Sequence, residues 1–301
     1  MTNTTSPTSP YLFDHAVLPV TSLDTARTRL SALGFNVAAD AVHPFGTENA
    51  CVYFEDETYL EPLGIAQRED CERTATKGNV FTKLDQTYRF RVGEDGFSAL
   101  AFKTDDADAD HKKFRSLGIS AGKKLSFSRS FIDAKGNKDK ASFKLAFAQD
   151  DRAPDATFFT CERVNTPKVD RSSLVAHANG VTGMREVVLS EQNPSDFQYF
   201  LQPVVNNRDT PSGSFGMEIA AANININVMT PEGLRMEFGV ARHSMDRGLC
   251  CEGFVFKVSN KNKLQSALTE GGITPRDTGR YWVVDSTQGQ GAFFAFDVSD
   301  V

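Results

Sequence analysis

From Leu12 to Val20 apolar and polar side chains alternate, the period-two pattern of a half-buried strand. A "TSLD" turn follows in which Ser22 or Asp24 can cap a helix, and Ala26, Leu30 and Leu33 then fall on one helical face. Gly34 stops that helix. Strand-like runs resume through "ACVYFEDETYLEPLGI", where Asp56 and Glu57 fit a tight hairpin turn. The pattern predicts a strand, a helix, then two or three strands.

The same grammar returns along the chain. "GFSALAFKTDDADADHKKFRSLGIS" aligns with the opening without a gap when Gly118 is set on Gly34, and its strands continue as "KKLSFSRSF", "KASFKLAFAQ" and "ATFFTCERV". A third copy starts at "GMREVVLSEQNPSDFQYFLQPVV" and closes with "ININVMTPEGLRMEFGV". A fourth starts at "EGFVFKVSNKNKLQSALTEGGI" and closes with "YWVVDSTQGQGAFFAFDV". Such self-similarity marks a fold built from repeated units. The polar, turn-rich "NTPKVDRSSLVAHANGVT" reads as a linker between two halves. The boundaries predicted are a disordered leader over 1–10, an N-terminal domain of two units over 11–165, a linker over 166–182 and a C-terminal domain of two units over 183–301.

Composition narrows the class. Of 301 residues, 24 are Phe against a single Trp, and many Phe fall in alternating runs, which favours a sheet-dominated core. The net charge of −6 and the absence of a concentrated basic face argue against a nucleic-acid partner. The Lys-rich "DAKGNKDKASF" is balanced by Asp and reads as a solvated hairpin tip. No apolar run is long enough for a membrane span, and "MTNTTSPTSP" lacks the basic and apolar regions of a signal peptide. Cys51, Cys71, Cys161, Cys250 and Cys251 form no paired framework and no C-x-x-C motif, which suits a reducing cytoplasm. The expected partner is a small molecule, and a homodimer is open to such a chain. G-x-S-x-G, the phosphate loop G-x-x-x-x-G-K-[ST] and a helix-opening G-x-G-x-x-G are all missing. "TQGQGAFF" runs between strands and is explained by a hairpin.

Four such units, with "DHAVLPV" opening the first and "YLEPLGI" closing it, resemble the vicinal oxygen chelate superfamily of glyoxalase I, extradiol dioxygenases and bleomycin-resistance proteins. "HPFGTENACVYF" followed by "YLEPL" is similar to the glyoxalase-like domain of uncharacterised bacterial members. "FFTCERV" followed by "HANGVTG" looks like the segment those proteins carry between their barrels. The resemblance spans roughly residues 11 to 300 and implies an α+β fold of four βαβββ modules forming two half-open barrels. It says little about the reaction, because one scaffold hosts many chemistries.

In that fold alternate side chains of each unit point into a cup. His15 on the first strand and Glu61 on the last strand of the same unit can both project into it, an N-donor and an O-donor that suit a divalent metal. The superfamily's matching positions carry ligands to a metal that chelates adjacent substrate oxygens. Fe, Mn, Zn and Ni are not distinguished. Asp14, pointing the other way, is expected to face solvent or the helix layer. The second unit puts Ala99 at the place of His15 and leaves Cys161, Glu162 or Arg163 opposite Glu61. Glu186 and Glu237 form a candidate second site in the third unit, and the fourth offers only Gly253 and the stretch 295–297.

Further candidates surround the cup. His43 and Asn49 in "HPFGTEN" can flank its rim or belong to a plain loop. His177 can close over the cup or hold the halves together. Arg89, Arg91, Arg129, Arg152 and Arg163 all lie in the first half among aromatics, and any that converge would bind a carboxylate or phosphate. Phe127, Phe131, Phe158 and Phe159 either line an apolar pocket or fill the barrel. The leading expectation is a metal-dependent enzyme of the glyoxalase and dioxygenase kind, acting as lyase, isomerase or oxygenase on a small anionic, oxygen-rich substrate, with His15 and Glu61 holding the ion as Lewis acid and Glu162 as base. The rival is a metal-free binding or resistance protein. A third reading makes the C-terminal half a structural partner that shields the first cup.

Overall fold

The computed structural model describes residues 9–132, 138–166, 170–244, 246–299 and 301, with the backbone alone at 131, 132 and 138. The leader expected over 1–10 and the tip of the Lys-rich hairpin therefore fall largely outside the described residues, as does the side chain of Phe131. The N-terminal sheet contains β1 (Phe13–Pro19), β2 (Ala41–Val42), β3 (Thr47–Asn49), β4 (Val52–Tyr53), β5 (Tyr59–Ile65), β6 (Ala99–Thr104), β7 (Leu125–Ile132), β8 (Lys138–Ala148) and β9 (Thr157–Asn165). The C-terminal sheet contains β10 (Val181–Ser190), β11 (Ser212–Gly213), β12 (Gly216–Ala220), β13 (Asn225–Met229), β14 (Cys250–Val258), β15 (Arg276–Asp277), β16 (Tyr281–Val284) and β17 (Phe293–Asp297). Helices α1 (Leu23–Ala32), α2 (Arg68–Thr76), α3 (Val80–Arg91), α4 (Ala107–Ser116), α5 (Ser172–Val175), α6 (Gln198–Val205), α7 (Pro231–Phe238) and α8 (Lys261–Glu270) fill the connections.

Each sheet is built from two units back to back. β1 pairs in parallel with β5 and antiparallel with β6, which pairs in parallel with β9, giving the path β2-β3-β5-β1-β6-β9-β8-β7. The C-terminal sheet repeats this as β11-β12-β13-β10-β14-β17-β16-β15. This is the α+β architecture of four βαβββ modules in two half-open barrels.

Caps fix the helices that cross from one strand to the next. Ser22, Asp106 and Asn260 each accept a bond from the backbone amide three residues on, opening α1, α4 and α8. Gly34 and Gly118 then take left-handed turns at φ of 84° and 71°. At Gly34 the fit is also steric, since a Cβ would lie 2.8 Å from that of Ala267 on α8.

Alternation along the strands makes two kinds of core. Leu18, Leu60, Leu100, Phe102 and Phe158 face outwards with Val187, Phe254, Phe256 and Phe294 of the other sheet, and together with the helices form one apolar core shared by both halves. Val17, Ala99, Ala101, Phe147, Phe159 and Cys161 face into the N-terminal cup. The C-terminal cup is filled by Val188, Leu234, Phe238, Val255, Tyr281, Phe293 and Ala295.

Three helices depart from the sequence reading. α2 and α3 follow β5, where no helix was expected, and Phe81 and Leu84 of α3 close one end of the N-terminal cup. The stretch "TPEGLRMEFG", expected as the closing strand of the third unit, is instead α7. Thr230 accepts from Gly233 N, Pro231 opens the first turn and Gly239 ends it at φ 66°, the full start and stop chemistry of a helix.

Candidate active-site cavity

The register of β1 against its neighbours decides what enters the N-terminal cup. His15 stands beside Tyr59 and Val17 beside Glu61, so His15 and Glu61 are diagonal neighbours on the inner face. His15 Nε2 lies 3.2 Å from Glu61 Oε2. A register shift between Phe13 and His15 bulges the strand at Asp14. That extra residue breaks strict alternation, so Asp14 turns towards His15 rather than to solvent or the helix layer. It is fully buried, 2.9 Å from His15 Nδ1, and accepts bonds of 2.7 and 2.9 Å from Arg163.

These contacts set the charges. Burial pushes the Asp14 carboxyl up, but the bond to His15 and the charges of His15, Arg163 and Lys103 outweigh it and hold the pKa below the usual range. Burial likewise opposes ionisation of Glu61, yet His15 and the 2.5 Å bond from Asn49 Nδ2 bring it down to about 2. His15 is pulled down by burial and raised further by the two carboxylates flanking it, for a net rise. His43 goes the other way, to about 4, because it is buried and the charges of Arg129 and His15 add to that effect. Asn49 Nδ2 lies 3.5 Å from His43 Nε2 and Thr47 Oγ1 lies 2.9 Å from Nδ1, contacts that suit the neutral tautomer with its proton on Nδ1.

His15, His43, Asn49 and Glu61 open on a cavity of about 940 Å³. Its walls include Tyr53, Tyr59, Phe127, Phe143 and Phe159, with Cys51 and Cys161 between them. Tyr59 stacks on the His15 ring with centroids 4.4 Å apart. Three guanidinium groups reach the same space: Arg129 from β7, Arg163 from β9 and Arg171 from the segment before α5. Arg163 is tied to Asp14, and Arg171 lies over the Tyr53 ring at 4.1 Å. Arg129 packs against Phe143, and its buried Nη1 has no hydrogen-bond partner among the described residues.

Other expected site residues lie elsewhere. Glu162 alternates away from Arg163 on β9, accepts from Ala107 N at the start of α4 and sits 3.5 Å from Lys144, so it cannot act as a base in the cup. Arg89 binds Asp85 and the carbonyls of Val20 and Leu63, pinning α3 to the strand ends. Arg91 pairs with Asp155, and Arg152 with Asp150. His177 accepts from Asn36 N at 3.0 Å and bonds the Tyr53 carbonyl at 2.9 Å, joining the linker to the first unit outside the cavity. Phe158 belongs to the shared outer core and Phe159 to the cup. Arg171 escaped the sequence reading, although "DRSS" beside an aromatic-rich half carried the same signal as the other arginines.

The pairing also resolves what stands at the equivalent positions. With Ala16 opposite Leu100, the local two-fold sets Ala99 at the place of His15 and Ala101 at that of Val17, so Phe159, the partner of Ala101, stands at the place of Glu61. The second unit therefore supplies no further donor there. In the third unit Glu186 takes the place of His15, but Asn227 on β13, not Glu237, takes that of Glu61, and donates to Glu186 over 2.6 Å. Glu237 is on α7, near enough for its charge to add to burial in raising the Glu186 pKa.

The sequence profile of the glyoxalase-like domain family matches residues 13–205, more than half of the chain. The chain belongs to that family. With it stands the resemblance to the vicinal oxygen chelate superfamily. Among solved structures, this glyoxalase-like chain is similar to a hypothetical protein from Staphylococcus aureus at 14% identity and TM-score 0.65, covering 95% of this chain and 98% of that one. It is similar to a mutant of 4-hydroxymandelate synthase from Streptomyces coelicolor at 12% identity and TM-score 0.58, over 96% and 92% of the two chains. An extradiol ring-cleaving dioxygenase from B. fuscum follows at 11% identity and TM-score 0.53, over 100% and 75%. At such identities these likenesses speak for the fold alone. No curated protein matches. Among the described residues no helix is long and apolar enough to cross a membrane.

Proposed function

We propose that the N-terminal cavity is the active site of a metal-dependent enzyme acting on a small anionic, oxygen-rich substrate. The observation that carries this reading is the buried pair His15 Nε2 and Glu61 Oε2, 3.2 Å apart on adjacent rigid strands and facing a large cavity. An imidazole whose second nitrogen is bonded to a buried carboxylate, as His15 is to Asp14, is the supported arrangement of a metal-binding histidine. His15 and Glu61 would hold the ion, and a divalent ion supplies Lewis-acid stabilisation of negative charge on substrate oxygens.

The chain's own groups do the rest. Arg129 meets the anionic end of the substrate with Nη1, which has no hydrogen-bond partner among the described residues, and Arg163 and Arg171 add positive potential. The Phe and Tyr walls exclude water and strengthen those interactions. His43, neutral because it is buried, presents Nε2 beside Glu61 with only the long 3.5 Å contact from Asn49, and is the group placed to take a proton from the substrate.

A second reading, a metal-free small-molecule binding protein, is favoured by Ala99 and Phe159, which offer no donors where a fuller site would have them. Mn2+ titration by calorimetry separates the two. Mn2+ suits N and O donors and not thiolates, so it reports this cavity alone. Tight binding lost in His15→Ala and in Glu61→Gln supports the enzyme. Failure of the wild type to bind Mn2+, Fe2+ or Ni2+ while salicylate still binds leaves the binding protein.

A further inference from the structure

In the C-terminal half the chain returns from α7 across the beginning of β14. There the β10–β14 ladder sets Ser190 opposite Cys250, and its register shifts between Val188 and Leu189, where Gly253 gives way to Cys251. The shift leaves Glu252 as the extra residue of a bulge, free to turn to the side of Cys250. His243 comes from the incoming loop, and His243, Cys250 and Glu252 each offer a donor atom within 4.8 Å of the other two. Cys250 and Glu252 are buried, while the His243 side chain is 38% exposed.

The surroundings hold these donors in place. Glu252 Oε1 accepts from Ser190 Oγ at 2.5 Å, and Oε2 lies 3.0 Å from His243 Nδ1. Cys250 Sγ accepts from Arg242 Nη2 at 3.1 Å. Hydrogen bonds to the atoms behind a ligand are the support that metal sites share. The Arg242 guanidinium is itself bonded to the carbonyls of Ser244 and Gly248 and lies 3.7 Å from the fully buried Glu191 carboxylate. Glu191 and Asp196 together offset the charges of Arg242 and Arg247, so a thiolate at Cys250 and the Glu252 carboxylate together match a divalent cation.

We propose that His243, Cys250 and Glu252 form a site for a Zn2+-class cation. The thiolate excludes the hard ions, and an N, S and O donor set suits a borderline-soft ion with tetrahedral preference, leaving one position to water. The site is separate from the positions that the repeat makes equivalent to His15 and Glu61, which in this half are occupied by Glu186, Asn227, Gly253 and Ala295. It is also independent of the function proposed for the N-terminal cavity. Bound Zn2+ ties the loop to β14 over the filled C-terminal cup, a stabilising role.

Co2+ replaces Zn2+ as a coloured probe whose thiolate charge-transfer absorption reports a sulfur ligand. The expected result is that this absorption appears in wild type and in His15→Ala, is abolished by Zn2+, and is absent from Cys250→Ser. His243→Ala, at an exposed position where folding is preserved, weakens Zn2+ by about a hundredfold or more and removes the rise in Tm that Zn2+ gives the wild type. A thiolate band that survives Cys250→Ser, or Zn2+ affinity unchanged in His243→Ala, overturns the proposal. So does a wild-type chain that takes up Co2+ with no such band.

Discussion

His15 Nε2 stands 3.2 Å from Glu61 Oε2, and the same imidazole holds the buried Asp14 carboxylate 2.9 Å from its other nitrogen. One ring thus connects the floor of the cavity to an ion pair with Arg163 behind it. Replacing Asp14 with Asn keeps the shape and removes the charge. Breaking a buried pair from one side costs about 3 kcal/mol, and loss of the carboxylate behind a metal-binding histidine costs about 10- to 100-fold in affinity. Urea denaturation and Mn2+ calorimetry on Asp14→Asn should show both. A variant as stable as wild type with unchanged Mn2+ affinity would remove Asp14 from the site.

Arg129 is the opposite case, a cation in the cavity wall whose Nη1 has no hydrogen-bond partner among the described residues. Among the described residues it makes no ion pair, so Arg129→Gln is expected to leave the Tm within a few degrees of wild type. Binding of an anion should suffer, since a charge-assisted bond contributes about 1.5–3 kcal/mol, roughly 10- to 100-fold. Salicylate, an aromatic anion with adjacent oxygens, is a suitable probe by fluorescence. Equal salicylate affinity in the two proteins would mean that the guanidinium does not face the ligand.

The strands and crossing helices were legible because each carries its own period and caps. The repeat of that pattern then placed His15 and Glu61 on neighbouring strands of one cup, and the register in the structure agrees. Long-range and irregular features were not legible. The bulge that turns Asp14 inward depends on how β1 meets β6, which no local pattern records. Glu162 and Arg163 could not be told apart without the register of β9, and a single residue decides which of them reaches the cavity. Arg89 looked like a ligand for an anion because its partners, the Val20 and Leu63 carbonyls, come from strand ends distant in sequence. The α7 error had another source. Thr230, Pro231 and Gly239 announce a helix, and the apolar run before them concealed that signal.

His177 links the linker to the first unit through Asn36 and the Tyr53 carbonyl, and burial holds its pKa at about 4. An unfolded histidine takes its proton near pH 6.5. Between about pH 6.5 and 4 the unfolded chain therefore binds more protons at this position, and the folded state loses stability as the pH falls. The loss from this group reaches at most about 3 kcal/mol. His177→Gln retains a donor and an acceptor but does not titrate. Urea midpoints measured at pH 7 and pH 4.5 should fall more steeply for wild type than for His177→Gln, and equal slopes would show that His177 is not the titrating link.

In the C-terminal half the place of the cavity is taken by side chains. Phe238 from α7 is fully buried, with its ring 5.1 Å from Tyr281 and 4.9 Å from Phe293. Phe238→Ala removes the plug from this cup, at a cost of about 3–5 kcal/mol for a large ring deleted from a packed core. The two cups lie on separate sheets, so Mn2+ affinity at His15 and Glu61 should stay within about twofold, because distant sites act independently. Chemical denaturation and Mn2+ titration on the same preparation test both statements. A loss below about 1 kcal/mol would mean that the cup collapses around the smaller side chain, and a large change in Mn2+ affinity would mean that the core shared by the two sheets carries strain from one cup to the other.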